Sequence, residues 1–209
     1  EGNTMTKLLI IGGFLGSGKT SVILQLAKYL VGDKPASQSQ VIILENEIGS
    51  ISIDDRTLSN TGCNVETMFS GCVCCTMAGE LVMNVHALLS RYSPEWIILE
   101  TTGMAYPNNV KKTLEESVPE ISCSIACLVD AKRWQRMQHV EQLAEFSREQ
   151  LEGASAVLVN KSDLVTEDIL QAVDASIRNY NTDAPIFHVS AVKGIPEQIW
   201  NQVFSKEVS

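Results

Sequence analysis

A short run near the start of the chain has the residue types and spacing of a phosphate-binding loop. Residues 13–20 read Gly-Phe-Leu-Gly-Ser-Gly-Lys-Thr and match the pattern G-x-x-x-x-G-K-[ST]. The glycines let the loop curl so that backbone N–H groups face one anion, and a helix beginning there adds its positive dipole end. An apolar run at 8–11 and a helix-compatible run at 21–30 supply the strand–loop–helix context that the motif requires.

We expect this loop to hold the phosphates of a nucleotide together with Mg²⁺. Lys19 should reach the β- and γ-phosphates as a catalytic cation, and the Thr20 hydroxyl should ligate Mg²⁺. The alternative is a glycine-rich turn that binds nothing. The other expected nucleotide contacts are Gly13, Gly16, Ser17, Gly18 and Ser21.

A second motif follows an apolar run further along the chain. Residues 100–103 read Glu-Thr-Thr-Gly. An acidic residue that ends a strand beside a phosphate loop is placed to hold Mg²⁺, usually through a water molecule. We therefore expect Glu100 to serve as a catalytic and Mg²⁺-binding residue, and the Gly103 N–H to sense the γ-phosphate. Glutamate rather than aspartate is unusual at this position beside a phosphate loop.

A third motif has the chemistry to select guanine. Asn160, Lys161 and Asp163 form the pattern N-K-x-D. The carboxylate of Asp163 can accept hydrogen bonds from guanine N1–H and from its exocyclic amine, whereas adenine would leave that carboxylate unpaired. The Lys161 stem can lie against the base, and Asn160 can tie this loop to the phosphate loop. The pair Ser190 and Ala191 is expected to present a backbone N–H to guanine O6.

Three clustered cysteines indicate a metal site. Cys72, Cys74 and Cys75 have C-x-C-C spacing, and their thiolates can converge on Zn²⁺, Co²⁺, Ni²⁺ or Cu(I). Metal affinity should rise with pH, because the ligands are thiolates. Redox-active or unliganded cysteines are the alternatives. The candidates for a fourth ligand are water, His86, Glu47, Cys63 and a partner's group.

Two further cysteines have a different setting. Cys123 and Cys127 lie four residues apart in an apolar run, so in a strand they would point to the same side. We expect them to be buried as small hydrophobic side chains.

The alternation of apolar runs and helix-compatible stretches predicts an α/β fold. We expect a three-layer P-loop NTPase fold, with a mostly parallel central sheet and helices on both faces. The segment from Asn46 to Gly71 has little regular pattern. Predicted strands cover 7–11, 41–45, 96–100, 124–130, 156–160 and 186–189, and predicted helices cover 19–31, 77–91, 108–116, 140–152, 167–180 and 196–204.

Length and composition set the class of protein. The 209 residues suit a single domain over 5–205, and a hydrophobic content of 44% suits a globular core. A net charge of -9 argues against nucleic-acid binding, because no basic face is available to neutralise phosphates. No apolar run is long enough for a membrane span and no signal peptide is evident, so we expect a cytoplasmic protein without a membrane partner.

The order of these motifs resembles the CobW-like family of metal-handling P-loop GTPases, which are relatives of the urease and hydrogenase nickel-insertion GTPases. The resemblance implies Mg²⁺-dependent hydrolysis of GTP to GDP, coupled to delivery of Zn²⁺, Co²⁺ or Ni²⁺ to a client metalloenzyme or corrinoid protein. It also implies that Glu47, expected to be catalytic, and Asp54 contact Mg²⁺, the transferred metal or the attacking water. Longer members carry a C-terminal domain, which we expect to be absent here. The resemblance rests on 13–20, 45–49, Asp54, 71–75, 100–103, 149–154 and 160–163.

Three hypotheses about function follow from these residues. The first is a GTPase that acts as a metallochaperone or metalloenzyme activator, with slow intrinsic turnover because Met104 stands where many regulatory GTPases place a water-orienting glutamine. The second is a GTP-regulated interaction switch with structural or redox-active cysteines. The third is an ATPase with a similar loop. A homodimer would allow three thiols per chain to share a metal across an interface.

Overall fold

A parallel sheet organises the part of the chain that the structure describes. This structure is a computed structural model, and it describes residues 5–32, 41–46, 64–68, 78–102 and 105–204. Within those ranges seven strands form one sheet in the order β3-β2-β4-β1-β5-β6-β7, and every neighbouring pair is parallel. The strands are β1 (Thr6–Gly13), β2 (Val41–Asn46), β3 (Asn64–Met68), β4 (Trp96–Glu100), β5 (Ile121–Asp130), β6 (Ala156–Asn160) and β7 (Ile186–His188).

Helices connect the strands and cover both faces of the sheet. A 3-10 turn, Ser162–Leu164, follows β6. The described α-helices are α1 (Lys19–Val31), α2 (Ala78–Tyr92), α3 (Pro107–Ser117), α4 (Trp134–Gln138), α5 (Glu141–Leu151), α6 (Glu167–Arg178) and α7 (Glu197–Phe204).

Two apolar cores lie on opposite faces of the sheet. Successive residues of β1 alternate between them: Leu8 and Ile10 belong to one core, and Leu9 and Ile11 to the other. The first core is covered by α2, α3, α5 and α6, and the second by α1 and α7. A strand that is buried on both faces needs apolar residues at every position, which explains why these strands read as continuous apolar runs. The predicted three-layer α/β fold is confirmed.

The position of β1 determines where a ligand can bind. Strand β1 pairs with β4 on one side and with β5 on the other. The chain that leaves β1 continues to β2 on the β4 side, whereas the chain that leaves β4 crosses β1 to reach β5, so these two connections run in opposite directions. A crevice forms at the carboxyl ends of the strands at such a point. The phosphate loop follows β1, the Glu-Thr-Thr-Gly motif begins at the end of β4, and the N-K-x-D motif begins at the end of β6.

The structure corrects several sequence-based boundaries. Strand β3 lies in the segment that was predicted to lack regular structure; its identity comes from parallel pairing with β2 rather than from an apolar pattern of its own. Helix α4 was not predicted, because a helix of one turn is too short to show periodicity. The predicted strand at 124–130 begins earlier, at Ile121, and the predicted helix at 140–152 is shorter at both ends.

Among the helices described here, none has the length and apolar character needed to span a lipid bilayer.

The central strand offers a test of the fold. Ile10 has no exposed surface and lies between Leu99 of β4 and Ile125 of β5. Ile10→Ala should lower the free energy of unfolding by about 2–5 kcal/mol, because it removes buried apolar surface and leaves a cavity. Urea denaturation followed by circular dichroism measures this loss. Met83→Ala is the matched control, since Met83 is 71% exposed, and should change stability by less than about 0.5 kcal/mol.

Candidate nucleotide-binding site

The phosphate loop joins the buried end of β1 to the first turn of α1. Gly13 and Gly18 have φ angles of +132° and +96°. A Cβ atom on Gly13 would lie 2.5 Å from the Leu128 carbonyl oxygen, and one on Gly18 would lie 2.4 Å from Asn160 Nδ2. Both positions therefore require glycine for conformational and for steric reasons. The loop is held tightly against β5 and against the end of β6.

The loop lysine is buried and already points back over the loop. Lys19 is 7% exposed, and its Nζ donates a hydrogen bond to the Gly13 carbonyl oxygen at 3.0 Å. Burial lowers the pKa of the Lys19 ammonium, while the negative charge of Glu100 opposes that shift. Because the charge of Glu100 offsets only part of the cost of burying the Lys19 ammonium, that ammonium is suited to bind an anion such as the phosphates of a nucleotide.

Glu100 and Thr20 form the cation-binding half of the site. Thr20 donates a side-chain hydrogen bond to the Glu100 carboxylate. Burial raises the pKa of Glu100, and the nearby Lys19 charge and the Thr20 hydrogen bond only partly offset this. Carboxylate and hydroxyl oxygens are the ligands that Mg²⁺ prefers. The donor set therefore fits Mg²⁺, whose charge would compensate the buried carboxylate.

Asn160 connects the phosphate loop to the third motif through a single side chain. Its Nδ2 donates to the Ser17 carbonyl oxygen at 2.9 Å, and its Oδ1 accepts from the Ala191 N–H at 3.0 Å. Asn160 is 3% exposed. The structure thus brings together the end of β1, the end of β6 and the loop after β7, as the motif predicts.

Lys161 is held between the phosphate loop and a carboxylate. It has a left-handed backbone conformation, with φ of +62°. Its Nζ donates to the Gly16 carbonyl oxygen at 2.7 Å and to Asp130 Oδ2 at 2.6 Å. Sequence reasoning missed Asp130. The signal that could have found it is the one that identified Glu100, an acidic residue at the end of an apolar strand.

The residues expected to read the base edge follow β6 and β7 at the carboxyl edge of the sheet, where the phosphate loop also lies. Asp163 Oδ2 lies 3.8 Å from Lys193 Nζ. The Ala191 amide is engaged by Asn160 in this structure, so the assignment of Ser190 and Ala191 to guanine O6 stays a prediction. Ser21 is exposed on the first turn of α1, and its contact with a phosphate also stays a prediction.

A buried glutamine is a second residue that the motifs did not reveal. Gln150 of α5 accepts a hydrogen bond from the Gly13 N–H at 2.7 Å and donates one to the Ala105 carbonyl oxygen. It lies in the stretch 149–154, which the sequence singled out only through family resemblance. A glutamine on a helix carries no motif of its own, because its partners are backbone groups distant in sequence.

Several predicted residues lie outside the described ranges. These are Glu47, Asp54, Cys63, Cys72, Cys74, Cys75, Gly103 and Met104. In the described part of the chain, no group of three or more His, Cys, Asp or Glu side chains could hold a metal ion. The C-x-C-C site therefore stays a prediction from the sequence.

The other two cysteines and His86 have structural roles. Cys123 and Cys127 are free and buried on one face of β5, as expected, and burial raises the pKa of each thiol to about 12. His86 Nε2 lies 3.3 Å from the carbonyl oxygen of Ser117, the last residue of α3. That contact is near the start of β5, at the edge of the sheet opposite the motifs, and it gives no support to ligation by His86.

The fold and the site together define a P-loop nucleotide-binding domain of the three-layer α/β class. A family model described as "CobW/HypB/UreG, nucleotide-binding domain" matches residues 7–188. The chain therefore belongs to the CobW/HypB/UreG family of nucleotide-binding domains.

Individual relatives show the same similarity. "Zinc chaperone YeiR" of Escherichia coli (strain K12) is 28% identical over 187 residues, which are 88% of this chain and 55% of that protein. "Zinc chaperone CobW" of Sinorhizobium sp is 27% identical over 205 residues, which are 84% and 56%. The chain thus spans just over half the length of these two relatives.

Solved structures confirm the fold. Hydrogenase maturation factor HypB from Archaeoglobus fulgidus has a TM-score of 0.69 at 17% identity, with 98% of this chain and 91% of that chain covered. Zn(II)-bound YjiA GTPase from E. coli has a TM-score of 0.63 at 20% identity, with 88% and 57% covered.

The buried carboxylate predicts a pH-dependent stability difference. Glu100→Gln should raise the melting temperature of the nucleotide-free protein at neutral pH, because the buried charge is removed. The folded-state pKa of Glu100 lies above its ordinary 4.5, so the cost of burying the carboxylate is present above the folded pKa and is lost as pH falls through it. The advantage of E100Q should therefore shrink as pH is lowered.

Differential scanning fluorimetry from neutral to acidic pH measures the difference in melting temperature between E100Q and the wild-type protein. Glu120→Gln is the control, since Glu120 is exposed. An advantage of E100Q that stays constant with pH, or a loss of stability at neutral pH, would contradict the analysis.

Proposed function

We propose that the domain binds GTP with Mg²⁺ and hydrolyses it to GDP and phosphate. The observation that carries this proposal is the pair of hydrogen bonds made by Asn160, which place the N-K-x-D loop directly beside the phosphate loop. One ligand that combines a guanine base with a phosphate chain would occupy both motifs. Family membership supports the same activity, and one relative, from Dictyostelium discoideum, is named "Zinc-regulated GTPase metalloprotein activator 1".

Each residue of the site has a separate task in this reaction. The backbone N–H groups of the loop and the Lys19 ammonium would bind the β- and γ-phosphates and stabilise the charge that develops on them. Thr20 and Glu100 would hold Mg²⁺, which supplies a further positive charge at the phosphates when bound. Lys161 would flank the base, and Asp163 would accept its two N–H donors.

We further propose that hydrolysis is coupled to delivery of a transition metal to a client protein. The cysteines Cys72, Cys74 and Cys75 carry this part of the proposal, and they suit Zn²⁺ because three thiolates leave one tetrahedral position for a ligand from the recipient. Relatives named zinc chaperones favour zinc over cobalt or nickel. The client would be a metalloenzyme or a corrinoid protein.

Coupling requires that nucleotide and metal favour the same conformation. GTP would fix the segment from Asn46 to Cys75 in a form that binds the metal, and loss of the γ-phosphate would release it. Two such sites influence each other by about 1–3 kcal/mol, which corresponds to roughly 5- to 150-fold in affinity. Slow turnover without metal or client belongs to the same proposal.

The guanine preference can be tested at one carboxylate. Asp163→Asn should weaken GTP binding by roughly 10-fold or more, because a hydrogen bond to a charged group is worth about 1.5–3 kcal/mol and the amide cannot accept from both donors as well. It should also improve binding of XTP, whose 2-carbonyl can accept from the new amide. Competition against a fluorescent GDP analogue measures both affinities.

Asp168→Asn is the matched control for this change. It removes the same charge from the exposed first turn of α6 and should leave the affinities unchanged. An unaltered preference for GTP over ATP and XTP in D163N would refute guanine recognition by this residue.

The metal-delivery proposal can be tested on the reduced protein. Zn²⁺, Co²⁺ and Ni²⁺ affinities should differ at least about fivefold between the GDP complex and the complex with a non-hydrolysable GTP analogue. Replacing Cys72, Cys74 and Cys75 together by Ser should abolish that binding while leaving GTP affinity intact. Cys123→Ser is the control, since Cys123 is buried in β5. Binding that is indifferent to nucleotide would favour the alternative of an interaction switch.

A further inference from the structure

One buried side chain joins the phosphate loop to the segment that follows Gly103. Gln150 is 3% exposed, and its Oε1 accepts the Gly13 N–H while its Nε2 donates to the Ala105 carbonyl oxygen. A backbone N–H only donates and a carbonyl only accepts, so these partners fix which end of the amide faces each segment. The two segments are thus joined through a group that must be a donor and an acceptor at once.

Aromatic contacts on the same helix reinforce this connection. Phe146 lies one turn before Gln150 on α5, and its ring centroid lies 5.7 Å from that of Phe14 in the phosphate loop. The same ring lies 5.7 Å from that of Tyr106, the residue after Ala105. Polar and apolar contacts from a single face of α5 therefore reach both segments.

The segment between β4 and α3 is anchored on both sides of Gly103. Before it, Thr101 donates both its N–H and its hydroxyl to the Ile11 carbonyl oxygen, at 3.2 and 3.0 Å. After it, Ala105 is held by Gln150. Both anchors thus connect this segment to the end of β1 and the start of the phosphate loop. The described residues on either side of 103–104 are therefore both tied to the phosphate loop or to the strand that leads into it.

We infer that Gln150 is a positioning residue that couples occupation of the phosphate loop to the conformation of the chain at Ala105 and Tyr106, immediately before α3. This inference rests on the proposed GTP hydrolysis, in which Gly103 senses the γ-phosphate. The hydrogen bonds of Gln150 are to backbone atoms of Gly13 and Ala105, so it would act through these two residues. Its loss should therefore reduce turnover more than it reduces affinity for GDP, which lacks the γ-phosphate.

Two substitutions separate this role from simple packing. Q150E preserves shape and still accepts from Gly13, but an ionised carboxylate repels the Ala105 carbonyl. Once protonated, the carboxyl can donate to Ala105 again, so the contact returns as pH falls. Q150L has similar bulk and lacks both polar atoms at every pH. Ser147→Ala is the control, since Ser147 is equally buried on α5 and its hydroxyl donates to the Leu143 carbonyl oxygen of the same helix.

The experiment measures kcat, KM and GDP affinity of each protein between about pH 5.5 and 8.5, a range wide enough to titrate a buried carboxyl. At the alkaline end, Q150E and Q150L should each show kcat reduced about fivefold or more, the scale of a typical coupling between sites, with GDP affinity within about twofold of wild type. Relative to wild type, Q150E should recover as pH falls and Q150L should not.

The titratable and charged groups that line the cavity beside Gln150 are Cys127, Asp130 and Arg133. These groups are the same in the variants and in wild type, so the ratio to wild type removes any pH dependence that the proteins share. Hydrogen–deuterium exchange provides a readout independent of turnover: a GTP analogue should protect peptides covering 101–110 more than GDP does in wild type, and this difference should be lost in Q150L. Thermal melts establish that each variant is folded.

The outcomes distinguish this inference from the proposed function. If wild type hydrolyses GTP but Q150L matches it in kcat and in exchange, or if Q150E and Q150L share one pH profile, the coupling role of Gln150 is overturned and the GTPase proposal stands. If wild type neither hydrolyses GTP nor responds to the analogue, both fall together.

Discussion

The desolvation of opposite charges at the end of the central strand is the constraint around which this domain is arranged. Lys19 and Glu100 are held in surroundings that disfavour the charged form of each, and their mutual attraction offsets only part of that cost. The attraction between buried charges repays their desolvation only when their geometry is well defined, which requires rigid surroundings. Parallel pairing of β1 with β4 and β5 supplies that rigidity, and the two apolar cores fix the strands in place.

The backbone of the phosphate loop is specified by its neighbours as much as by its own glycines. Asn160 engages Ser17, Lys161 engages Gly16, and Gln150 engages Gly13. These contacts come from two places distant from the loop in sequence: the carboxyl end of β6 and the helix α5 packed against the sheet. The loop is therefore held in a curled conformation before a ligand arrives, which is how an enzyme gains electrostatic stabilisation without reorganisation during the reaction.

Sequence alone predicted the features that depend on local pattern. The loop residues Gly13 and Lys19 could be assigned because the motif has a fixed spacing and its glycines are typical of a curled phosphate-binding loop. The α/β class followed from apolar runs of strand length. Strand β3 could not be predicted, since its pairing with β2 rather than its composition defines it. Gln150 was missed for a related reason, because its partners are backbone atoms that only the tertiary fold brings close. Asp130 ends an apolar strand as Glu100 does, so its position was available in the sequence, but its contact with Lys161 was not.

The arrangement of Lys161 has a consequence for how a base would be recognised. A free lysine side chain samples many rotamers, and ordering it costs up to about 2 kcal/mol. Here the ammonium is already fixed by Asp130 and by the Gly16 carbonyl, so that the loss of freedom occurs when the protein folds. A base that stacks on the lysine stem would meet a side chain that is already ordered. Binding of the base would therefore not lose the conformational entropy of this side chain.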